Sequence, residues 1–279
     1  MAVLQIQSSM KQLILLSLLA IIFLGCSKEK DAPKPAVLIN SYATRFMVDQ
    51  HAGAFYTSFK VTSLEHKDGK VTKRVHGMEC MQENNCELQY TIVDDVTYGN
   101  NTIRISNRSG SSEQDIRQQE WFFKLKNANQ VEYLLQKLED SKLYDSLLYA
   151  YSGNGKIKQI TSYTVYQDKS EKFADKRKIK DFFFNASGNL EKVETRHLLD
   201  DGFVIKMITE TFGNYDTAQN PFQGLFMFSD TFYRSLSENN FRSYTRQEKD
   251  MPNGTLYDTQ WNNWVLEYSV ANMPLFDKL

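Results

Sequence analysis

Apolar residues are distributed along this chain in two different ways. Between Leu13 and Leu24 they are consecutive, with Ser17 as the only polar residue. Farther along, in runs such as Gln159–Gln167 and Phe203–Phe212, they alternate with polar residues, and turn-forming residues separate the runs. About 12 apolar residues are too few for a membrane-spanning helix, which needs about 20, but they fit a secretory signal. Alternation with a period of two is typical of strands. The pattern therefore predicts a signal peptide followed by an antiparallel β domain.

Two segments align without gaps, Tyr149–Ile160 and Phe182–Val193. Each begins with three residues that are wholly or mainly aromatic and continues with polar turn residues and a glycine. Apolar residues follow two and five positions after the glycine. The glycines are Gly155 and Gly188, and a third segment has Asn129 in the corresponding position. Glycine and asparagine tolerate the positive φ that tight turns require. We therefore predict repeated β-hairpins with sharp turns at these positions.

Two segments depart from simple alternation. Val131–Leu138 also has apolar residues at helical spacing; the alignment favours a strand, and a helix is the alternative. Pro221 cannot donate a hydrogen bond to a neighbouring strand, so the chain leaves the sheet there. Ser229 or Asp230 is positioned to cap a short helix that continues through Leu236.

The segment around residues 220–240 is too apolar for a bare loop. One interpretation is a cap that covers an open end of the sheet. The other is an aromatic binding surface, because exposed apolar patches mark interaction sites. The candidate binding residues are Phe222, Phe226, Phe228, Phe232 and Tyr233.

The predicted fold class is therefore mainly all-β. We expect a single large curved antiparallel meander sheet or open β-roll, with a short helical insert near 220–240. The predicted organisation is a signal peptide over residues 1–25, a flexible tether over 26–38 and an antiparallel β domain over 39–279. The repeated hairpins cover about residues 121–279.

Composition adds abundant aromatic residues, with 18 Phe and 15 Tyr, which suit pleated, half-buried surfaces. The net charge of −1 gives no basic surface for nucleic acid, so no nucleic-acid partner is predicted. No phosphate-binding loop, zinc-protease motif or nucleophile elbow occurs, so the sequence predicts no catalytic residue, no metal site and no cofactor.

Cys80 and Cys86 lie on either side of a predicted loop tip. In an exported chain they are expected to form a disulfide, which would close about seven residues and contribute on the order of 2 kcal/mol. The alternative is a metal site completed by His76 and Glu79.

The remaining candidate chemistry is scattered. The acidic pairs Asp94-Asp95 and Asp200-Asp201 could serve a glycosidase or bind calcium, but we interpret both as turn residues. The histidines lie far apart in the sequence and are interpreted as solvent-facing strand residues. They are His51, His66, His76 and His197.

The segment Phe23-Leu24-Gly25-Cys26 resembles the lipobox of bacterial lipoproteins, with Phe23 replacing the usual leucine. The resemblance implies that Cys26 is lipidated and becomes the first residue after cleavage. Two acyl chains anchor a protein stably without a transmembrane helix. The charged stretch Ser27–Asp31 is similar to segments of Bacteroidetes-type surface lipoproteins, which implies an outer-membrane location with possible surface display.

The segment "FFFNASGNLEKVETR" resembles the YD-type unit of RHS-like repeat proteins, and "YDTAQNPFQGLFMFSDTFYRSLSENN" resembles a segment of uncharacterised Bacteroidetes β-sheet lipoproteins. These resemblances imply a fold and a location but no activity. The first functional hypothesis is a non-catalytic, membrane-anchored binding protein with a glycan or a surface protein as partner. The alternatives are a structural or lipid-handling β-sheet scaffold and, third, a hydrolase that uses carboxylates.

Overall fold

The computed structural model describes most of the chain after residue 37. The described residues are 38–47, 57–82, 85–87, 91–109, 119–138, 143–167, 172–263, 267–268 and 274–275. The predicted signal peptide, most of the predicted tether and the lipidation site at Cys26 lie outside them, so these three assignments stay predictions.

The described residues form 17 strands and one short helix. They are β1 (Ser41–Met47), β2 (Thr57–Lys67), β3 (Lys70–Gln82), β4 (Asn85–Glu87), β5 (Ile92–Gly99), β6 (Thr102–Ser109), β7 (Gln119–Asn127), β8 (Gln130–Leu138), β9 (Leu143–Tyr151), β10 (Ile157–Gln167), β11 (Lys172–Phe184), β12 (Leu190–Leu198), β13 (Val204–Gly213), α1 (Phe232–Ser235), β14 (Ser243–Asp250), β15 (Leu256–Asn263), β16 (Glu267–Tyr268) and β17 (Pro274–Leu275). No helix among them is long and apolar enough to cross a membrane.

The first fifteen strands belong to one antiparallel sheet in which neighbours in sequence are neighbours in space. The order runs from β1 to β15, with β4 paired only to β3 at the side of this path. No pairing joins β1 to β15 among the described residues. The predicted antiparallel meander is confirmed, and Val131–Leu138 is part of strand β8 rather than a helix.

The repeated hairpins share one turn geometry. In the β9–β10 turn the N–H of Gly155 donates to the carbonyl of Ser152 at 3.0 Å, and Gly155 has φ of 82°. Gly188 repeats this in the β11–β12 turn, with φ of 81°. The third copy lies in the β12–β13 turn, where Gly202 has φ of 85°. The hairpin predicted at Asn129 is present between β7 and β8, but its turn has two residues and Asn129 does not have the predicted positive φ.

A long insert, residues 214–242, connects β13 to β14 and lies outside the strands. Its residue Asp230 accepts a hydrogen bond from Tyr42 of β1, and its residue Tyr233 donates one to Glu210 of β13. In a flat sheet these two strands would be eleven spacings of about 4.8 Å apart, roughly 50 Å. Asp230 and Tyr233 are only three residues apart, so the sheet must curve strongly around the insert.

The insert is packed by apolar residues that belong to both core clusters. Phe222, Leu225 and Phe228 are buried with residues of β1 to β8, and Phe241 is buried with residues of β10 to β13. Asn220 holds the insert together, because its side-chain amide donates to the carbonyls of Arg234 and Ser237 at 2.6 and 2.8 Å. Packing of this kind matches the interpretation of the segment as a cap over the sheet.

The insert contains the predicted short helix, α1, which ends at Ser235 with Leu236 as its C-cap. Its N-cap is Thr231, not Ser229 or Asp230 as the sequence suggested. The Thr231 hydroxyl is occupied elsewhere, since it donates to the carbonyl of Leu225 at 2.7 Å. The Asp230 carboxylate likewise accepts hydrogen bonds from the sheet residues Tyr42 and Arg74 instead of capping the helix.

Candidate functional site

A cavity of about 300 Å³ lies between the inner face of the sheet and the insert. We call it the insert cavity. Its walls are mainly apolar, and its volume is near the lower limit of small-molecule sites. The apolar lining residues are Ile105, Trp121, Phe123, Leu134, Leu147, Tyr149, Ile160, Phe226, Met227, Phe228, Phe232 and Tyr233. The sheet residues among them alternate along their strands, which places their side chains on the face that meets the insert.

Arg74 of β3 forms the first polar end of the cavity. Its Nε donates to Asp94 Oδ2 of β5 at 2.7 Å, and its Nη1 donates to Asp230 Oδ1 of the insert at 2.7 Å. The guanidinium lies 4.3 Å from the ring centre of Phe228, and the hydroxyl of Tyr42 donates to Asp230 Oδ2 at 2.8 Å. Together these contacts fasten the insert to the sheet.

Asp94 was interpreted from the sequence as a turn residue, and that interpretation was wrong. It lies inside β5, is 1% exposed and pairs in register with Arg74. Burial favours its neutral form, but a hydrogen bond from His76 and the charge of Arg74 outweigh burial and lower the pKa of Asp94. Its Oδ1 has no hydrogen-bond partner among the described residues. The neighbouring Asp95 faces outward and pairs with Arg108 at 2.8 Å.

His76 takes part in the same cluster instead of facing solvent as expected. Its Nε2 lies 3.2 Å from Arg74 Nη2 and 3.1 Å from Asp94 Oδ2. A guanidinium only donates, so the ring tautomer decides which of these two contacts is a hydrogen bond. Apart from this ring, the end of the cavity consists of one guanidinium that faces two carboxylates, Asp94 and Asp230.

Lys178 and Lys180 of β11 form the opposite polar end. Lys180 Nζ donates to the hydroxyl of Tyr233 at 3.0 Å, and burial lowers the pKa of Lys180. The nearby carboxylate of Glu210 accepts from the hydroxyls of Tyr233 and Tyr244 at 2.6 and 2.8 Å. Among the described residues, neither lysine forms an ion pair.

The surroundings of the two lysines carry an excess of positive charge. His197 lies opposite Lys178 and Lys206 in the register of β11, β12 and β13. Burial, followed by the charges of Lys178 and Lys206, lowers the pKa of His197 to about 4, so the ring is neutral at pH 7. Lys206 and Arg246 share the carboxylate of Glu248, at 2.6 and 2.5 Å.

A second space, of about 450 Å³, adjoins the insert cavity and shares Tyr149, Phe226 and Phe232 with it. We call it the turn groove, because the β9–β10 turn and the insert form its sides. Lys156 crosses from one side to the other, with its Nζ 2.6 Å from Glu238 Oε1. The other lining side chains that bear on binding combine aromatic rings with amides: Tyr151, Phe184, Asn129, Asn154 and Gln223.

The five aromatic residues predicted to bind a partner fall into two groups. Phe222 and Phe228 are 1% and 2% exposed and pack in the core. Phe226, Phe232 and Tyr233 line the insert cavity, so their side chains face an internal space. Binding by this set stays a prediction.

The cysteine prediction also remains to be tested by experiment. Cys80 of β3 and Cys86 of β4 are register partners, and opposed residues of antiparallel strands lie roughly 4.5–5.5 Å apart at Cα, within the range that a disulfide spans. No group of three metal-binding side chains occurs in the part of the chain that the structure describes.

Sequence reasoning did not identify Arg74, Asp230, Lys178 or Lys180 as site residues. The two lysines had a local signal, because they share one face of β11 with Phe182, which is buried. The Arg74–Asp230 pair had none, since 156 residues separate its members.

Comparison with known proteins identifies the fold only. No protein-family model and no curated protein sequence matches the chain. It is similar to the crystal structure of a porin-like protein from Bacteroides uniformis ATCC 8492, with a TM-score of 0.51 and 10% identity over 86% of this chain and 89% of that one. A porin-like protein from Bacteroides vulgatus ATCC 8482 matches with a TM-score of 0.49 and 13% identity, over 85% and 90% of the two chains.

Proposed function

We propose that this chain is a non-catalytic binding protein of the outer membrane or cell surface, anchored through lipidated Cys26, which holds a small, largely apolar ligand in the insert cavity. The observation that carries the proposal is the cavity itself. It is lined mainly by apolar side chains from the sheet and the insert, and its charged lining residues come from β3 and β5 on one side and from β11 on the other. Sites for small molecules have this composition.

The location is supported by two independent observations. The lipobox-like end of the signal peptide supports a lipid anchor, and the fold is shared with a Bacteroides protein described as porin-like. Replacing Cys26 by Ser removes the thiol that a lipid needs, so the variant is expected in the soluble fraction. Unchanged fractionation of Cys26→Ser would refute the anchor.

Adjacent residues of β9 allow a sharp test of the cavity. Leu147 lines the cavity, whereas Leu148 is 46% exposed on the other face. Leu147→Trp is expected to fill the space and to weaken binding of decanol at least tenfold, measured by calorimetry. Leu148→Trp adds the same ring outside and is expected to bind as the wild type does. Absence of saturable decanol binding, or equal binding by the two variants, would refute the cavity as the site.

The turn groove favours a second candidate, a glycan partner. Its rings and amides are the groups that stack on sugars and bind their hydroxyls. Phe184 lines this groove, and its neighbour Phe183 lies on the other face beneath Lys192, 4.3 Å from its Nζ. On a glycan array, Phe184→Ala should lose any glycan that the wild type retains, and Phe183→Ala should keep it. If no glycan is retained, this candidate is rejected.

A further inference from the structure

The two ends of the insert cavity differ in charge. At the Arg74 end, the one guanidinium is already paired with both Asp94 and Asp230, so it is not available to an anionic head group. The inner face around the other end carries four cations and three carboxylates, a net charge of +1. These groups are Lys178, Lys180, Lys206, Arg246, Glu210, Glu248 and Asp250.

The cations at the second end are not equally available. Lys206 and Arg246 are paired with Glu248, whereas Lys178 and Lys180 have no ion-pair partner in the described part of the chain. An ammonium has three donors, and Lys180 uses one of them on Tyr233. Two donors of Lys180 therefore remain, and Lys178 lines the same cavity.

The same two side chains repel each other. They are two residues apart on one strand face, roughly 7 Å at Cα, and the partly buried position of Lys180 weakens screening by water. An anion held between them would relieve this repulsion and use the available donors. A neutral head group would offer only ordinary hydrogen bonds, and a cation would add to the repulsion.

We propose that the ligand of the insert cavity is an amphiphilic anion whose carboxylate, or a head group of equivalent charge, is bound by Lys178 and Lys180 while its apolar part lies against Leu147, Ile160 and Phe226. This inference rests on the proposed function, because it specifies the ligand of the same cavity. It also fixes the orientation, since the guanidinium at the opposite end is already paired with two carboxylates and is not available to the head group.

The test compares three probes with the same ten-carbon chain: decanoate, decanol and decyltrimethylammonium. With the full mature chain, decanoate is expected to bind on the order of tenfold more tightly than decanol, because hydrogen bonds to charged groups are stronger than neutral ones. Decyltrimethylammonium is expected to bind most weakly. Raising the salt concentration should weaken decanoate binding and leave decanol binding unchanged.

Lys178→Met and Lys180→Met remove the charge while keeping most of the side-chain length. Each is expected to bring decanoate affinity close to that of decanol, without loss of decanol binding. Lys158→Met is the matched control, because Lys158 is an exposed residue of β10 that does not line the cavity. If Lys180→Met does not fold, Lys178→Met and the salt dependence of the wild type decide the question.

The outcomes separate the two proposals. Equal affinity for decanoate and decanol would refute the proposal of an anionic ligand but leave the proposal of an apolar site intact. A loss of decanoate binding in Lys158→Met equal to that in Lys178→Met would have the same meaning. Failure of all three probes to bind overturns the cavity and the anion together. Tightest binding of the cationic probe overturns the charge assignment.

Discussion

The ion cluster around Arg74 should contribute more to stability than an ion pair of the same length on the surface. Asp230 lies 2.7 Å from Arg74, and the two side chains are 20% and 10% exposed. The pair Arg177–Asp200 is as short, 2.6 Å, but its side chains are 34% and 72% exposed. Removing one partner of a fully buried pair costs about 3–5 kcal/mol, whereas exposed pairs contribute about 0–1 kcal/mol.

Asp230 is partly hydrated, so we expect Asp230→Ala to cost less than the full buried value, about 2–3 kcal/mol. The variant leaves Arg74 with Asp94 as its remaining carboxylate and leaves the hydroxyl of Tyr42 without its acceptor. In a domain of this size, such a loss lowers the melting temperature by roughly 5–10 °C. Asp200→Ala is expected to change it by about 2–3 °C or less.

Urea unfolding followed by tryptophan fluorescence measures both variants on one scale, because Trp121 lines the cavity next to the insert. The expected result is a lower midpoint for Asp230→Ala with an unchanged slope. Equal midpoints for Asp230→Ala and Asp200→Ala would show that the cluster does not fasten the insert. The reasoning from burial would then be refuted.

Three further outcomes are expected. In urea unfolding, Gly188→Ala should lower the free energy of unfolding by about 1 kcal/mol or more, because the residue has φ of 81° and its added Cβ would lie 3.1 Å from a neighbouring side chain. Gly153→Ala should be nearly neutral, because Gly153 has no positive φ and open space around it. Cys80 and Cys86 should resist alkylation until a reductant is added; labelling of both thiols in the untreated protein would disprove the disulfide. Burial raises the pKa of Tyr98 to about 12. The protonated phenol therefore stabilises the fold below pH 10, and this contribution is lost between pH 10 and 12. Phenolate absorbance that rises fully near pH 10 in the folded protein would contradict this.

Local sequence signals were sufficient for the strands and for two of the repeated turns. Gly155 and Gly188 were identified because alternating apolar residues and a residue that tolerates positive φ occur close together in the chain. The turn at Asn129 was located correctly, but its conformation was not, because asparagine is suited to several turn types. The sequence pattern thus indicates where the chain turns more reliably than how it turns.

The candidate site was harder to predict, because alternation shows which residues share a face but not which face is inside. In β11 both faces carry charges and both carry a buried apolar residue, Phe182 on the face of the two lysines and Ile179 on the other, so the local signal did not decide which face is inside. Asp94 appeared to be a turn residue because acidic pairs are common in turns, whereas its place in β5 depends on pairing with Arg74. The contacts of Arg74 and Lys180 with the insert depend in addition on the curvature of the sheet, which no local pattern encodes.

The position of the insert late in the chain has a consequence for folding. Synthesis proceeds from the N-terminus, so β1 to β8 are complete long before Phe222 and Phe228 emerge to cover their apolar face. Contacts across 188 residues, such as Tyr42 with Asp230, close last and slow folding through the entropy of the long loop. Until then the uncovered strands present an aggregation-prone surface, and a holding chaperone acting on the nascent or unfolded chain would protect it.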